Sequence, residues 1–321
     1  MKKLLLSTMI LTLVLSLTAC GSKNNANDNN QATDQPAASE TRIATDVKGD
    51  VEVPANPQRI VDLSGASDIL YLLGYNVVGT ANSDGYDYTK FPTYLEKELA
   101  GAKILGYSMS DTFDIEAIMA LNPDLIVISS VQEKIYDQLS EIAPTLMVNM
   151  AQVDWKVDFL HVAEVMGKKA EAESWLAEYD AKAAEVASRM KETFGADTTY
   201  LSFLASYGSN FVFDGAGIGS IFYNDMKLPR PEGMPEQTDI SLPVVTMEGL
   251  AGIDADYIFA VATDEDMATL KADSIWNQIE AVKEGKVVYL PASPYFNIGY
   301  SPIGRLVFLN EVESLLNSIN E

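Results

Sequence analysis

FDIEAIMALNPDLIVI, residues Phe113 to Ile128, has a counterpart 132 positions downstream in VTMEGLAGIDADYIFA, residues Val245 to Ala260. Glu116 aligns with Glu248, Asp124 with Asp256 and Ile126 with Ile258; these three are the only identities, so the order of physical features carries the match. Each copy opens with a cap-capable residue, Asp114 or Thr246, places a Glu in the first helical turn, and continues with apolar residues at helical spacing. A short turn follows (Asn122-Pro123-Asp124 or Asp254-Ala255-Asp256), then a four-residue apolar run that reads as a buried parallel strand. Two copies of one helix-turn-strand unit predict two similar α/β lobes.

The same unit places the two glutamates. A helix antiparallel to its strands starts beside their carboxyl ends, where open α/β sheets bind ligands. Glu116 and Glu248 are therefore expected at equivalent rim positions, one per lobe. Either complements a helix dipole, worth about 0.3–1 kcal/mol, or the two form a matched functional pair.

Working outward, Lys2 and Lys3 precede an apolar run from Leu4 to Leu17 that is too short to span a bilayer. It ends in Leu17-Thr18-Ala19-Cys20-Gly21, which resembles a bacterial lipobox, with Cys20, the sole cysteine, as the lipidated residue. That cysteine leaves no partner for a disulfide or a thiolate metal site. Gly21 to about Glu40 lacks large apolar residues and reads as a flexible tether of roughly 25 Å. The expected organisation is 1–19 signal peptide, 20–41 lipidated Cys and tether, 42–150 first lobe, 151–194 inter-lobe helices, and 195–321 second lobe. Ala170 to Thr193 contains no Gly or Pro and keeps Ala172, Trp175, Leu176, Tyr179, Ala183, Val186 and Met190 on one face. This predicts a rigid helix long enough to join the lobes. Strands alternating with helices make both lobes Rossmann-like, with parallel sheets. The segments 64–66, 82–88, 107–110 and 129–131 should gather at one sheet edge, and Pro294 to Tyr300 should form the last edge loop.

A formal charge of -24 argues against nucleic acid as a partner, since its phosphates would be repelled. Gly215, Gly217 and Gly219 do not make a G-x-G-x-x-G, and no P-loop occurs. Gly299 to Gly304 misses a nucleophile elbow by one residue. The only histidine, His161, lies in an amphipathic helix, and no cluster has zinc spacing. A catalytic centre and a directly bound metal are thus not expected. The edge loops are instead rich in rings: Tyr86, Tyr88, Tyr107, Tyr207, Phe211, Tyr295, Phe296 and Tyr300, with Asn297 among them. Gathered at a cleft, they would wall a site for a bulky, partly apolar ligand. Of the five arginines, only Arg230 and Arg305 are placed to reach such a cleft; Arg59 belongs at the far edge.

The lipobox, the long inter-lobe helix and the paired Glu116/Asn122–Val127 and Glu248/Ala255–Ile258 units, with Ser274-Ile275-Trp276 and Val282 to Val287, together resemble the substrate-binding proteins of ABC importers for ferric siderophores and cobalamin. These are the helical-backbone, class III periplasmic binding proteins. The resemblance implies a lipid-anchored, monomeric receptor on the outer face of a bacterial cell membrane, with no cofactor; iron would arrive only inside a bound siderophore. It implies that Glu116 and Glu248 dock onto arginines of a permease dimer, which works with its ATPase. Catecholate and citrate binders of that family use basic clusters that this sequence lacks, and neutral or weakly cationic ferric hydroxamates suit an aromatic cleft with one Arg best, so they are favoured; cobalamin, which needs mainly aromatic walls, or haem is the alternative. For haem, Met109 with a cleft tyrosine would be the ligands. A surface enzyme acting on a small substrate is the rival of another class.

Overall fold

The computed structural model describes residues 40–150 and 154–319. The signal segment, Cys20 and nearly all of the expected tether lie outside the described residues. Among the described residues, no helix is long and apolar enough to cross a membrane.

The chain enters through a hairpin, β1 (Thr41–Asp46) against β2 (Gly49–Pro54). Asp46 caps its turn by accepting from the amides of Lys48 and Gly49, and it also accepts from Met147 N at 2.6 Å, which fastens the hairpin to the first lobe. That lobe contains β3 (Ile60–Asp62), β4 (Val77–Thr80), β5 (Lys103–Ile104), β6 (Leu125–Ile128) and β7 (Thr145–Met147), in the order β5-β4-β3-β6-β7 and parallel throughout. Its helices are α1 (Ser67–Leu72), α2 (Ile115–Met119) and α3 (Tyr136–Ser140).

Two helices then lead away: α4 (Trp155–Val165) and α5 (Lys169–Phe194). The second is unbroken over 26 residues, which at 1.5 Å per residue is about 39 Å. Ala172 and Leu176 near its start belong to the first lobe's core; Tyr179, Ala183, Val186, Ala187 and Met190 belong to the second lobe's. One face of one helix is thus buried in two cores in succession, as the apolar stripe predicts.

The second lobe contains β8 (Tyr200–Ser206), β9 (Ser209–Val212), β10 (Val244–Val245), β11 (Tyr257–Ala262) and β12 (Val287–Pro291), in the order β10-β9-β8-β11-β12. Its helices are α6 (Gly217–Ser220), α7 (Met247–Ala251), α8 (Asp264–Ala272), α9 (Glu280–Lys283), α10 (Ala292–Ile298) and α11 (Pro302–Asn317). Strands β8, β11 and β12 are parallel, but β9 and β10 run antiparallel to their neighbours. The departure from an all-parallel sheet has a local cause. Tyr207 and Gly208 both have positive φ (49° and 75°), the signature of a two-residue hairpin turn that sends the chain straight back. Pro294 to Tyr300 is also not the expected loop, being mostly helical in α10; Pro294 occupies its first turn and Gly299 its C-cap, positions where both residues are tolerated.

The duplicated unit is duplicated in its hydrogen bonds. Asp114 and Thr246 cap α2 and α7 by accepting from Ala117 N and Gly249 N. Asp124 accepts from the amides of Gln58 and Arg59 at the start of β3, and Asp256 accepts from Thr199 N ahead of β8. Each repeat aspartate therefore ties its own strand to the neighbouring central strand. Arg59 lies at this amino-terminal edge, donating to the carbonyls of Leu121 and Asn122 in the turn after α2.

A buried hub joins the lobes. Asp225 ends a π-helical turn (Ile221–Asp225) and accepts from Arg305 Nη1 on α11 (2.5 Å), the Tyr179 hydroxyl on α5 (2.6 Å) and Trp155 Nε1 on α4 (3.3 Å). Removing one member of a buried pair leaves its partner's charge uncompensated, at a cost of about 3–5 kcal/mol. Asp225→Ala should accordingly lower Tm by roughly 10 °C in a thermal melt, whereas a loss under about 1 kcal/mol, the value of a solvated pair, would contradict this role.

Candidate functional site

A cavity of about 250 Å³ lies between the lobes. Its walls come from the carboxyl ends of both sheets: Gly65, Asn82 and Ser83, and Tyr107 to Met109 from one lobe, with Gly215 and Ala216 from the other. The start of α4 (Trp155, Asp158) and the junction from Phe296 to Arg305 complete it. Three of the four loop segments expected at this edge thus contribute to the wall. The fourth, 129–131, is not in the lining; Gln132, the residue after it, donates to the carbonyls of Ser108 and Ser110 and holds the 107–110 loop in place.

Of the ten ligand-binding candidates, Tyr107, Phe296, Asn297, Tyr300 and Arg305 line the cavity. Tyr86 sits just outside, its ring 5.7 Å from Phe296 in an edge contact. Tyr207, Phe211, Arg230 and Tyr295 are not part of the lining. Tyr207 stands at the apex of its hairpin with 96% of its surface exposed. Phe211 and Tyr295 pack against the second lobe's core. Arg230 pairs with Asp214 at 3.0 Å. Burial raises the pKa of Tyr107 and Tyr300, so both phenols stay protonated and can donate.

The glycines of the 214–219 stretch serve close packing. Gly217 has φ 55°, and a Cβ on Gly219 would fall 1.8 Å from Phe213 O. A Cβ on Gly299 would likewise meet the Gly217 backbone at 2.2 Å. These contacts seat α6 against the α10–α11 junction and leave Gly215 and Ala216 facing the cavity.

Several lining residues were not among the candidates. Trp155 packs its ring 4.8 Å from the Arg305 guanidinium, while Arg305 is held by Asp225 and donates Nη2 to Ser220 Oγ. Asp68 and Asp158 are buried acids in the wall. The Ser301 hydroxyl, which caps α11 by accepting from Gly304 N, donates to Asp68 Oδ2 at 2.5 Å. Across the same junction Ser293 Oγ donates to Asp84 Oδ2 (2.7 Å) and Gly85 N donates to Asn297 Oδ1 (2.9 Å). These bonds join the two lobes along the cavity wall.

Glu116 and Glu248 are exposed in the first turns of α2 and α7. Since β6 and β11 follow those helices, both carboxylates lie on the carboxyl-end side of their sheets, which is the side of the cavity. Among the described residues neither enters an ion pair.

The fold and cavity define a two-lobed, helix-braced binding protein. The chain belongs to the periplasmic binding protein family, whose model matches residues 63–294. It is 31% identical to the iron(3+)-hydroxamate-binding protein FhuD of Bacillus subtilis (strain 168), over 97% of each chain. A crystal structure of a FhuD fold-family periplasmic binding protein component of a Fep/Fec-like ferrichrome ABC transporter from Bacillus subtilis is 27% identical and superposes with a TM-score of 0.70, covering 84% of this chain and 98% of that one. Unliganded FhuD2 from Staphylococcus aureus shares the fold at a TM-score of 0.73 and 21% identity, over 88% of this chain and 100% of that one.

Burial pushes the Asp68 carboxyl up to about 6, with the Ser301 bond opposing the shift and Asp62 adding to it. A folded pKa above the unfolded value of 3.8 means that the folded state gains stability below about 4 and loses it as pH rises through 6. The stability of Asp68→Asn relative to wild type should therefore improve by about 3 kcal/mol between pH 4 and pH 7.5, read from denaturant unfolding; a difference that does not change with pH would contradict it.

Proposed function

We propose that this chain is a surface-anchored receptor that captures a ferric siderophore, with the hydroxamate type favoured, in the inter-lobe cavity and delivers it to an ABC permease. The observation that carries the reading is the cavity itself. Tyr107, Phe296, Tyr300 and Trp155 supply rings, Asn82, Ser83 and Asn297 supply hydrogen-bonding groups, and its single arginine is already committed to Asp225. Such a wall suits a bulky complex with an apolar exterior and little negative charge. A trianionic catecholate complex would need cations that these residues do not provide. The hydroxamate-binding relative from Bacillus subtilis points to the same ligand class.

Delivery rests on Glu116 and Glu248. Their matched, exposed and unpaired positions on the cavity side of each lobe support docking onto one arginine from each subunit of a permease dimer. Anchoring rests on Cys20 within its lipobox-like sequence, which would hold the receptor at the outer face of the membrane as a lipoprotein. In this reading iron is cargo inside the siderophore, the receptor works as a monomer, and no chemical step occurs on the protein.

The double substitution Glu116→Ala with Glu248→Ala should cut ferric hydroxamate uptake roughly tenfold or more while leaving the Kd of the purified receptor unaltered. Loss of affinity in step with loss of uptake would place the glutamates in the ligand site and remove the docking role.

A further inference from the structure

We propose that the apex of the β8–β9 hairpin is a further contact for the permease, in which the Tyr207 ring, set among carboxylates, receives a basic side chain of the subunit that meets the second lobe. The first lobe has no equivalent, so the two permease subunits meet unlike surfaces. This rests on the receptor reading and deepens its delivery step.

Tyr207 is 96% exposed, the most of any large apolar or aromatic side chain among the described residues. Its φ of 49° is a left-handed conformation that strains a tyrosine and that Gly or Asn adopt more readily. The turn is nevertheless held firmly. Tyr207 N donates to Asp266 Oδ1 at 3.0 Å, and Thr263 Oγ1 donates to Asp266 Oδ2 at 2.8 Å. A strained backbone kept in place by its surroundings, with the side chain presented to water, is not explained by packing and points to a use outside the chain. A rigidly presented tyrosine is well suited to anchor a protein interface, because it has only two χ angles to immobilise.

The position of the apex names the partner. Strand β8 ends there, so Tyr207 lies on the carboxyl-end side of its sheet, the side of the cavity and of Glu248. The sheet itself joins the two. Strand β9 returns from the apex and pairs with β10, Asn210 opposite Val245, and α7 begins two residues later with Met247 and Glu248. Helix α8 opens at the same edge and exposes Asp264 and Glu265 in its first turn beside Asp266. Among the described residues neither Asp264 nor Glu265 enters an ion pair. Residues 200–226 and 244–270, which supply this edge, contain no Lys or Arg. Carboxylates around an exposed aromatic face complement arginine or lysine, whose charge the acids attract and the ring face accepts.

The duplication shows that this contact is an addition to the matched glutamates. Strands β3 and β8 are counterparts, each the central strand of a five-stranded sheet. After β3 the chain passes through Ser64-Gly65-Ala66 directly into α1, and no hairpin stands there. Glu116 and Glu248 are therefore paired across the lobes, whereas Tyr207 is single.

The test substitutes Tyr207→Asn, which removes the ring and creates the Asn-Gly sequence that two-residue hairpins favour, and Tyr207→Phe, which keeps the ring. Each variant replaces the native chain in its own cells, and uptake of radiolabelled ferrichrome is measured at matched receptor levels, beside the Kd for ferrichrome and the Tm of the purified protein. Tyr207→Asn should leave Kd unaltered and Tm unchanged or higher, yet cut uptake about fivefold or more; Tyr207→Phe should retain most of it. Combined with Glu116→Ala the two losses should multiply, and combined with Glu248→Ala they should fall short of multiplying, since ring and glutamate meet the same subunit. Full uptake by Tyr207→Asn overturns the inference. So does a loss of affinity matching the loss of uptake, which would put the ring in the ligand site, or a fall in Tm, which would give it a structural role. Losses that multiply equally with both glutamates overturn the assignment to one subunit. Failure of wild type to bind ferrichrome contradicts the receptor reading itself.

Discussion

Asp225 is the contact on which the geometry of this molecule depends. It sits on a π-helical turn in the second lobe and receives hydrogen bonds from α4, α5 and α11. Helix α4 is packed into the first lobe's core through Phe159, Val162 and Val165, and α5 bridges both cores. One carboxylate therefore fixes the first lobe, the spine and the second lobe relative to one another. The Ser301–Asp68, Ser293–Asp84 and Gly85–Asn297 bonds extend the same junction along the cavity wall. A cavity bounded by so many cross-lobe bonds and by an unbroken helix favours a pre-formed site over wide hinge closure, with the ligand entering between lobes already held at their working separation.

Much of the fold was legible because it is periodic. The repeat around Glu116 and Glu248 foretold two lobes, and the paired roles of Asp124 and Asp256 show why those positions match: each secures the start of the neighbouring central strand. The long apolar stripe of α5 needed nothing beyond its spacing. The antiparallel β9 was less visible, because it depends on Tyr207 adopting a left-handed conformation usually left to Gly or Asn. The same turn carries the Tyr207 ring into solvent and out of the site.

The site itself was half legible. Aromatic residues in strand-end loops could be assigned to one edge from topology, and five candidates line the cavity. Phe211, Tyr295 and Arg230 do not, because sequence cannot tell a ring packed against the core from one facing a cleft, nor foresee that Asp214 claims Arg230. Asp68, Asp158 and Trp155 were invisible for the opposite reason. They sit on helices, where an acid or a ring reads as a cap or an amphipathic position, and only the approach of α11 to α1 and α4 turns them toward one space. Even Arg305, correctly placed, has a different character from the one its position suggested: it is half of a buried pair with only Nε left over.

Trp155 lies in the cavity wall, so a bound ferric complex should quench its emission, and titration with a ligand panel tests the central claim most directly. Saturable, one-to-one quenching by ferric trihydroxamates is expected, with ferric catecholates, ferric citrate, haem and cobalamin binding more weakly or not at all. Tighter one-to-one binding of any of those four, or turnover of a bound compound, would contradict it.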